Sequence, residues 1–197
     1  ISWRTGALET VSDMAEEWAT KFGLGVRGGP RAKGWLDRIT EGTDRMLEPV
    51  LRAPGGAMWG QMKLNAERAS TAEQGGVRLM VPHLKALQKR LPQLEIHLIG
   101  HSAGSIVLGS MLKQLGSAGL KATSVRLFAP ASTADLANRH YAEAVKKKVL
   151  ESRHFHIHVL SDQNERDDAV GPYRKSLLYL VSRSFEDAHK TPLLGMQ

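Results

Sequence analysis

The sequence contains no cysteine. This absence excludes disulfide bonds, thiolate-bound zinc, iron–sulfur clusters and a thiol nucleophile. A chain without thiols is compatible with a reducing compartment, so we expect a cytoplasmic protein.

Long hydrophobic runs are also absent. No apolar run approaches the roughly 20 residues that cross a bilayer, and the opening residues I-S-W-R-T-G lack the basic and apolar regions of a signal peptide. We therefore expect no transmembrane segment. The chain begins at Ile1 rather than at methionine, and we take this as an indication that it is a piece of a longer polypeptide.

The composition is that of a globular protein. Of the 197 residues, 42% are apolar and 24% are charged, which is enough to build one hydrophobic core. We therefore expect a single domain over residues 1–197, and leave open whether it is complete at its ends.

The net charge of +7 and the pI near 9.8 raise the possibility of an anionic partner. The basic residues are scattered, however, and no signature of a nucleic-acid-binding module is present. The densest basic run, Lys146–Lys148, falls on the polar face of a predicted amphipathic helix. We expect this run to be solvated and do not expect nucleic acid to bind.

Helical and strand patterns alternate along most of the chain. An amphipathic helix is predicted at Ala7–Phe22, after a short strand at Ile1–Trp3. Residues 23–70 form a helical insertion whose tryptophan and methionine side chains pack in the core or act as a lid. Further strands are predicted at Leu94–Gly100, Ser124–Ala129 and His154–Leu160. Further helices are predicted at Val77–Leu91, Ala103–Leu115, Ser132 to about Leu150, and Arg174–Glu186. The alternation predicts an α/β fold of three layers with a mostly parallel sheet.

The clearest chemical motif is Gly100-His101-Ser102-Ala103-Gly104, between a predicted strand and a predicted helix. Such a G-x-S-x-G turn holds its serine in strained geometry, and the glycines allow strand and helix to approach closely. Ser102 is therefore the candidate nucleophile, and the N–H of Ala103 is a candidate donor to an oxyanion. We expect His101 to shape the pocket.

Over about Leu94–Glu186, this motif and the elements after it resemble the α/β-hydrolase superfamily of serine esterases and lipases. The resemblance implies a catalytic triad in the order serine, acid, histidine. Asp162, which follows the predicted strand His154–Leu160, matches the position of the acid, with Asp167 and Asp168 as alternatives. The base is then His189 or a histidine outside this chain, and His189 also fits a cap on a helix C-terminus.

The resemblance implies a serine hydrolase that acts on a small carboxylic ester or related acyl substrate without metal or organic cofactor. The alternative is a non-catalytic module of the same fold that binds a ligand or partner through its basic surface. No His-Gly loop supplies a second oxyanion donor, for which Thr5-Gly6 is a weak substitute.

Two other patterns have simpler explanations. Gly23–Gly28 matches G-x-G-x-x-G but follows a helix and precedes Pro30, which is not the setting of a dinucleotide site. His154, His156 and His158 alternate along one predicted strand, and we favour a hydrogen-bonded histidine face over a metal site.

Overall fold

The structure is a computed structural model that describes residues 35–170 and 173–197. The chain divides into two compact units. One, the sheet unit, comprises Gly60–Leu160 and Pro192–Gln197; the described part of the other, the helical unit, is residues 35–59, 161–170 and 173–191. The predicted elements at Ile1–Trp3 and Ala7–Phe22, Thr5-Gly6 and the glycine pattern at Gly23–Gly28 lie outside the described residues.

The sheet unit contains three parallel strands in the order β1-β2-β3. They are β1 at His97–His101, β2 at Ser124–Phe128 and β3 at Phe155–His158. The three strands predicted in this region and their parallel pairing are confirmed, although β3 is shorter than predicted at both ends. The α/β class is thus confirmed, and the three-layer arrangement stays a prediction.

Helices precede the first strand and connect the three strands. Helix α1 is Trp35–Thr71, which contributes to both units, α2 is Gly76–Arg90 and α3 is Gly104–Ser117. The next crossover was predicted as one helix, but it consists of α4 at Ala134–Ala137, a π-helical turn at Asn138–Ala142 and α5 at Glu143–Lys146. It ends before Leu150 because Lys148 takes a left-handed backbone conformation, with φ of 57°. The side chains of Lys146 and Lys147 are exposed, as predicted.

The core of the sheet unit lies against one face of the sheet. Every second residue of β1 and β2 points to this face, where Leu98, Val125 and Leu127 are buried. They form one cluster with Leu112 and Leu115 of α3, which have no exposed surface. Each such side chain stabilises the fold by about 1.5–3 kcal/mol, which fixes α3 and the turn before it. The intervening residues of β1 and β2, such as Ile99 and Phe128, are exposed.

The helical unit contains the first part of α1, α6 at Asp162–Asp167 and α7 at Leu177–Leu180, which continues as a π-helical turn at Val181–Phe185. The helix predicted at Arg174–Glu186 is therefore shorter than expected. Helix α1 continues through Pro49 and Pro54.

Two buried carboxylates organise the helical unit. Asp44 accepts a hydrogen bond from the Arg174 N–H at 3.0 Å and pairs with Lys175 at 3.2 Å. Glu48 accepts from the Tyr173 hydroxyl at 3.1 Å and lies 3.4 Å from the Arg183 guanidinium. These contacts compensate the buried charges that α1 places in the interior.

Among the predicted lid residues, Trp59 is buried and its indole N–H donates to Glu186 at 2.6 Å. For this residue the structure therefore agrees with the core interpretation. The insertion as a whole stays a prediction.

Candidate active site

Ser102 lies in the turn between β1 and α3, with a φ of 49°. This left-handed conformation is unfavourable for a residue with a side chain, by about 1–3 kcal/mol. A strained strand–turn–helix is the geometry that presents a nucleophile in α/β hydrolases. The turn therefore has the backbone conformation that the G-x-S-x-G motif predicts.

Backbone hydrogen bonds hold Ser102 in this conformation. Its N–H donates to the carbonyl of Phe128, at the end of β2, at 3.0 Å. Its carbonyl accepts from the N–H groups of Ser105 and Ala131, each at 3.1 Å, and from the Ser105 hydroxyl at 2.7 Å. The Ser105 hydroxyl in turn accepts from the N–H of Ser132 at 3.1 Å. Ser102 is thus fixed from both β2 and the loop that follows β2.

This loop, Ala129–Ser132, is called the support loop here. It begins with a second strained residue, Ala129, with φ of 42°. The C-terminal tail, Pro192–Gln197, packs on it: the Leu194 N–H donates to the Ser132 carbonyl at 2.9 Å. A Cβ added to Gly195 would lie 2.6 Å from the Pro130 carbonyl oxygen. Only glycine, which has no Cβ, therefore lets the tail approach the loop backbone this closely.

The two motif glycines differ in their surroundings. A Cβ added to Gly100 would lie 2.7 Å from a methyl carbon of Leu108 and 3.4 Å from the carbonyl carbon of Gly104. This is the predicted close approach of strand and helix. A Cβ added to Gly104 itself meets nothing within 4 Å, so the steric interpretation of that glycine is wrong.

The neighbours of Ser102 offer an oxyanion donor and an exposed ring. Ala103 is the N-cap of α3, where free N–H groups and the helix dipole give a positive potential. Its N–H is thus in the region where negative charge is favoured. His101 is exposed at the end of β1, in register with Phe128 of β2.

Asp162 is the first residue of α6, where Ser161 caps the helix by accepting a hydrogen bond from the Asn164 N–H at 3.3 Å. The Asp162 carboxylate accepts a hydrogen bond from the Tyr179 hydroxyl and pairs with Arg166 at 2.8 Å. The hydrogen bond from the Tyr179 hydroxyl has the larger effect on the pKa of Asp162, and the Arg166 contact adds to it. Together they lower this pKa below its ordinary value. Asp162 is therefore ionised at neutral pH.

The alternative acids make local contacts. Asp167 accepts a hydrogen bond from the Gln163 side-chain amide at 3.0 Å, and Asp168 accepts from the N–H of Ala169 at 2.8 Å. Contacts of this kind are typical of helix surfaces and turns.

His189 is exposed in the segment that follows the π-helical turn at Val181–Phe185. Its Nδ1 lies 2.9 Å from the carbonyl oxygen of Arg183. Because a carbonyl oxygen can only accept, Nδ1 carries the proton, and Nε2 of the neutral ring has the free lone pair. The contact also satisfies a carbonyl in the last helical turn, which is what the cap interpretation predicts.

The candidate residues therefore fall into two groups. Ser102, Ala103 and His101 lie in the sheet unit, whereas Asp162 and His189 lie in the helical unit. The sequence did not predict the residues that support Ser102. They are Ser105, Ser132 and Tyr141, whose hydroxyl donates to the Ser105 carbonyl. Of these, Ser105 is the second residue of α3, and the sequence signal was only its position three residues after the nucleophile.

The alternating histidines do not share one strand. His154 ends a 3-10 turn at Ser152–His154, and only His156 and His158 are on β3. The His158 ring stacks on Phe128, with 4.5 Å between ring centroids. Within residues 35–170 and 173–197, no group of three or more metal-ligating side chains is present.

Comparisons with known proteins place the chain in a family. A family model described as an alpha/beta hydrolase of unknown function, DUF900, matches residues 55–171, which include the three strands and the Ser102 turn. No curated protein and no solved structure matches the chain. In the part of the chain that the structure describes, no helix is both long and apolar enough to cross a membrane. The family match covers more than half of the chain, which therefore belongs to this family of α/β hydrolases.

Proposed function

We propose that the protein is a serine hydrolase in which Ser102 attacks a carboxylic ester or a related acyl bond. The observation that carries the proposal is the left-handed backbone of Ser102, directly after the parallel strand β1. Strain of this kind persists only where surrounding contacts hold it, and it is common at active sites. Family membership supports the same chemistry.

The proposed reaction follows from the polarity of the turn. The Ser102 hydroxyl adds to the acyl carbon, and its proton passes to a base. The negative charge on the acyl oxygen is stabilised by the N–H of Ala103 at the start of α3. The proton then passes to the leaving alcohol, and water releases the acid from the acyl-enzyme.

His189 is the proposed base and Asp162 the proposed acid of the triad. The contact with the Arg183 carbonyl leaves Nε2 of His189 able to take the serine proton. Asp162 is held in its ionised form by Tyr179 and Arg166, as is required of a group that stabilises an imidazolium. The Arg183 carbonyl orients the His189 ring in the structure, and Asp162 would add charge stabilisation.

Covalent labelling with a fluorophosphonate probe tests the nucleophile. The folded chain is expected to react once, and Ser102→Ala to abolish the reaction. Ser117→Ala is the matched control, because Ser117 is exposed at the other end of α3 and, among the described residues, its hydroxyl donates only to the Lys113 carbonyl. If a chain shown by circular dichroism to be folded does not react, or Ser102→Ala reacts as the parent does, the proposal is wrong.

Hydrolysis of p-nitrophenyl esters of increasing acyl length tests the base and the substrate class. His189→Gln is expected to lower kcat by about 10⁴-fold or more, as removal of a triad base does. Unchanged turnover would assign the base to another histidine. Asp162→Asn is expected to lower kcat as well, with KM changed much less, because the acid acts on the transition state.

The chemistry requires no metal or organic cofactor, and we keep a cytoplasmic location as part of the proposal. The alternative, a binding module without catalysis, would be supported by a folded chain that neither reacts with the probe nor hydrolyses any ester in the series.

A further inference from the structure

We propose that the helical unit contains a binding site for a small phosphorylated molecule. A cleft of about 500 Å³ lies in this unit, beside α1 and the segment that follows the π-helical turn at Val181–Phe185. Its lining includes four cationic side chains and one carboxylate: Arg45, Arg52, Arg183, Lys190 and Glu48. A volume of this size is in the range of small-molecule sites.

Among the residues that the structure describes, little negative charge compensates the positive charge of the cleft. Glu48 lies 3.4 Å from the Arg183 guanidinium, so these two charges balance. Arg52 donates to the backbone carbonyl of Asp187, a contact that leaves its charge unneutralised. Among the described residues, no carboxylate forms an ion pair with Arg45, Arg52 or Lys190. Three positive charges therefore face a cavity that an anion could occupy.

Two of the arginines are held in place before any ligand binds. The Arg52 guanidinium is fixed by the Asp187 carbonyl. The Arg183 guanidinium lies over the Tyr179 ring, 5.3 Å from its centroid, and contacts Glu48. A guanidinium that is already oriented loses less side-chain entropy on binding and can form paired hydrogen bonds to an oxyanion.

The charge favours a phosphate over a carboxylate. A monocarboxylate would neutralise only one of the three positive charges, whereas a phosphate dianion or a pyrophosphate neutralises two or more. Planar arginine side chains also match the tetrahedral oxygens of phosphate in bidentate contacts. His189 lines the same cleft. The three positive charges would attract a phosphate whether or not His189 acts as a base.

The test is calorimetric titration of the 197-residue chain with inorganic phosphate and with pyrophosphate, at constant ionic strength. We expect saturable binding of one equivalent, tighter for pyrophosphate than for phosphate, and no saturable binding of acetate. The double variant Arg45→Gln, Lys190→Gln should weaken pyrophosphate binding by about tenfold or more. Both residues are exposed, so the variant is expected to fold.

The matched control is Lys89→Gln, Arg90→Gln, which removes the same charge from the exposed end of α2 in the sheet unit. It should change the dissociation constant by less than about twofold, since exposed charges far from a site are screened by salt. Equal weakening in both double variants, or no saturable binding, would overturn the proposal. Ser102→Ala should bind pyrophosphate as the parent does, so a failure of the hydrolase proposal would leave this result unaffected.

Discussion

The hydroxyl of Ser105 is the group whose removal tests most directly how the Ser102 turn is held. It donates to the Ser102 carbonyl at 2.7 Å and accepts from the Ser132 N–H at 3.1 Å, and the residue has no exposed surface. Ser105→Ala removes both hydrogen bonds and adds no bulk. The backbone of α3 keeps its own hydrogen bonds, so the change is confined to the turn and the support loop.

The expected loss follows from what each partner keeps. The Ser102 carbonyl still accepts from the N–H groups of Ser105 and Ala131, so this bond is worth about 0.5–1.5 kcal/mol. The Ser132 N–H is buried and loses the partner that the structure gives it, which costs about 1–3 kcal/mol. We therefore expect the free energy of unfolding to fall by about 2–4 kcal/mol. In a chain of this length, each kcal/mol corresponds to about 2–4 °C in Tm.

Thermal melting of Ser105→Ala measures this loss, with Ser110→Ala as control. Ser110 is buried on the same helix, and its hydroxyl forms no hydrogen bond with any residue that the structure describes. The Ser105 variant should melt several degrees lower than the control and react more slowly with a fluorophosphonate. Equal Tm values for the two variants would refute the idea that Ser105 holds the turn.

Two other predictions concern the sheet unit. Gly75→Ala should lower the free energy of unfolding by about 1–3 kcal/mol, because its Cβ would lie 2.4 Å from the Ala69 carbonyl oxygen. Gly76→Ala, whose Cβ meets nothing within 4 Å, should be neutral or stabilising, and similar Tm values for both would contradict the packing. Burial, followed by the nearby charges of Arg139 and Lys113, lowers the pKa of His140 below its ordinary 6.5, so the unfolded chain binds the proton more readily. The contribution of neutral His140 to the free energy of unfolding is therefore complete above about pH 6.5. It is lost as the pH falls through the lowered pKa of the folded state. His140→Gln should flatten the decline of Tm between about pH 7 and pH 5, and an unchanged slope would show that His140 is not responsible.

The sheet could be predicted because its sequence pattern is local. Each strand is a short segment rich in apolar residues, and the residues between strands carry helical periodicity that continues for several turns. The turn at Ser102 was predictable for the same reason, since five consecutive residues specify a strand end, a tight turn and a helix start. In both cases the local sequence is enough to predict the element, although the contacts that hold Ser102 in its strained conformation come from elsewhere in the chain.

The rest of the candidate site depends on contacts that sequence spacing does not encode. The Tyr141 hydroxyl reaches the Ser105 carbonyl 36 residues away, and the residue was predicted only as part of an amphipathic helix. The crossover helix contains a π-helical turn, which no periodicity of 3.6 residues indicates. The sequence predicts Asp162 directly after the third strand, whereas β3 ends at His158 and Asp162 begins α6. Its contacts with Tyr179 and Arg166 could not be predicted from sequence spacing.

The support of the Ser102 turn extends beyond the segment that matches the family. The Leu194 N–H binds the Ser132 carbonyl, the Ser132 N–H binds the Ser105 hydroxyl, and that hydroxyl binds the Ser102 carbonyl. Residues 55–171 contain three of these four residues, and the tail supplies the fourth, Leu194. Because a strained φ persists only where its surroundings hold it, the tail belongs to the structure that keeps Ser102 strained. A fragment that stops at residue 171 would retain the G-x-S-x-G motif but lose the contact that anchors the support loop.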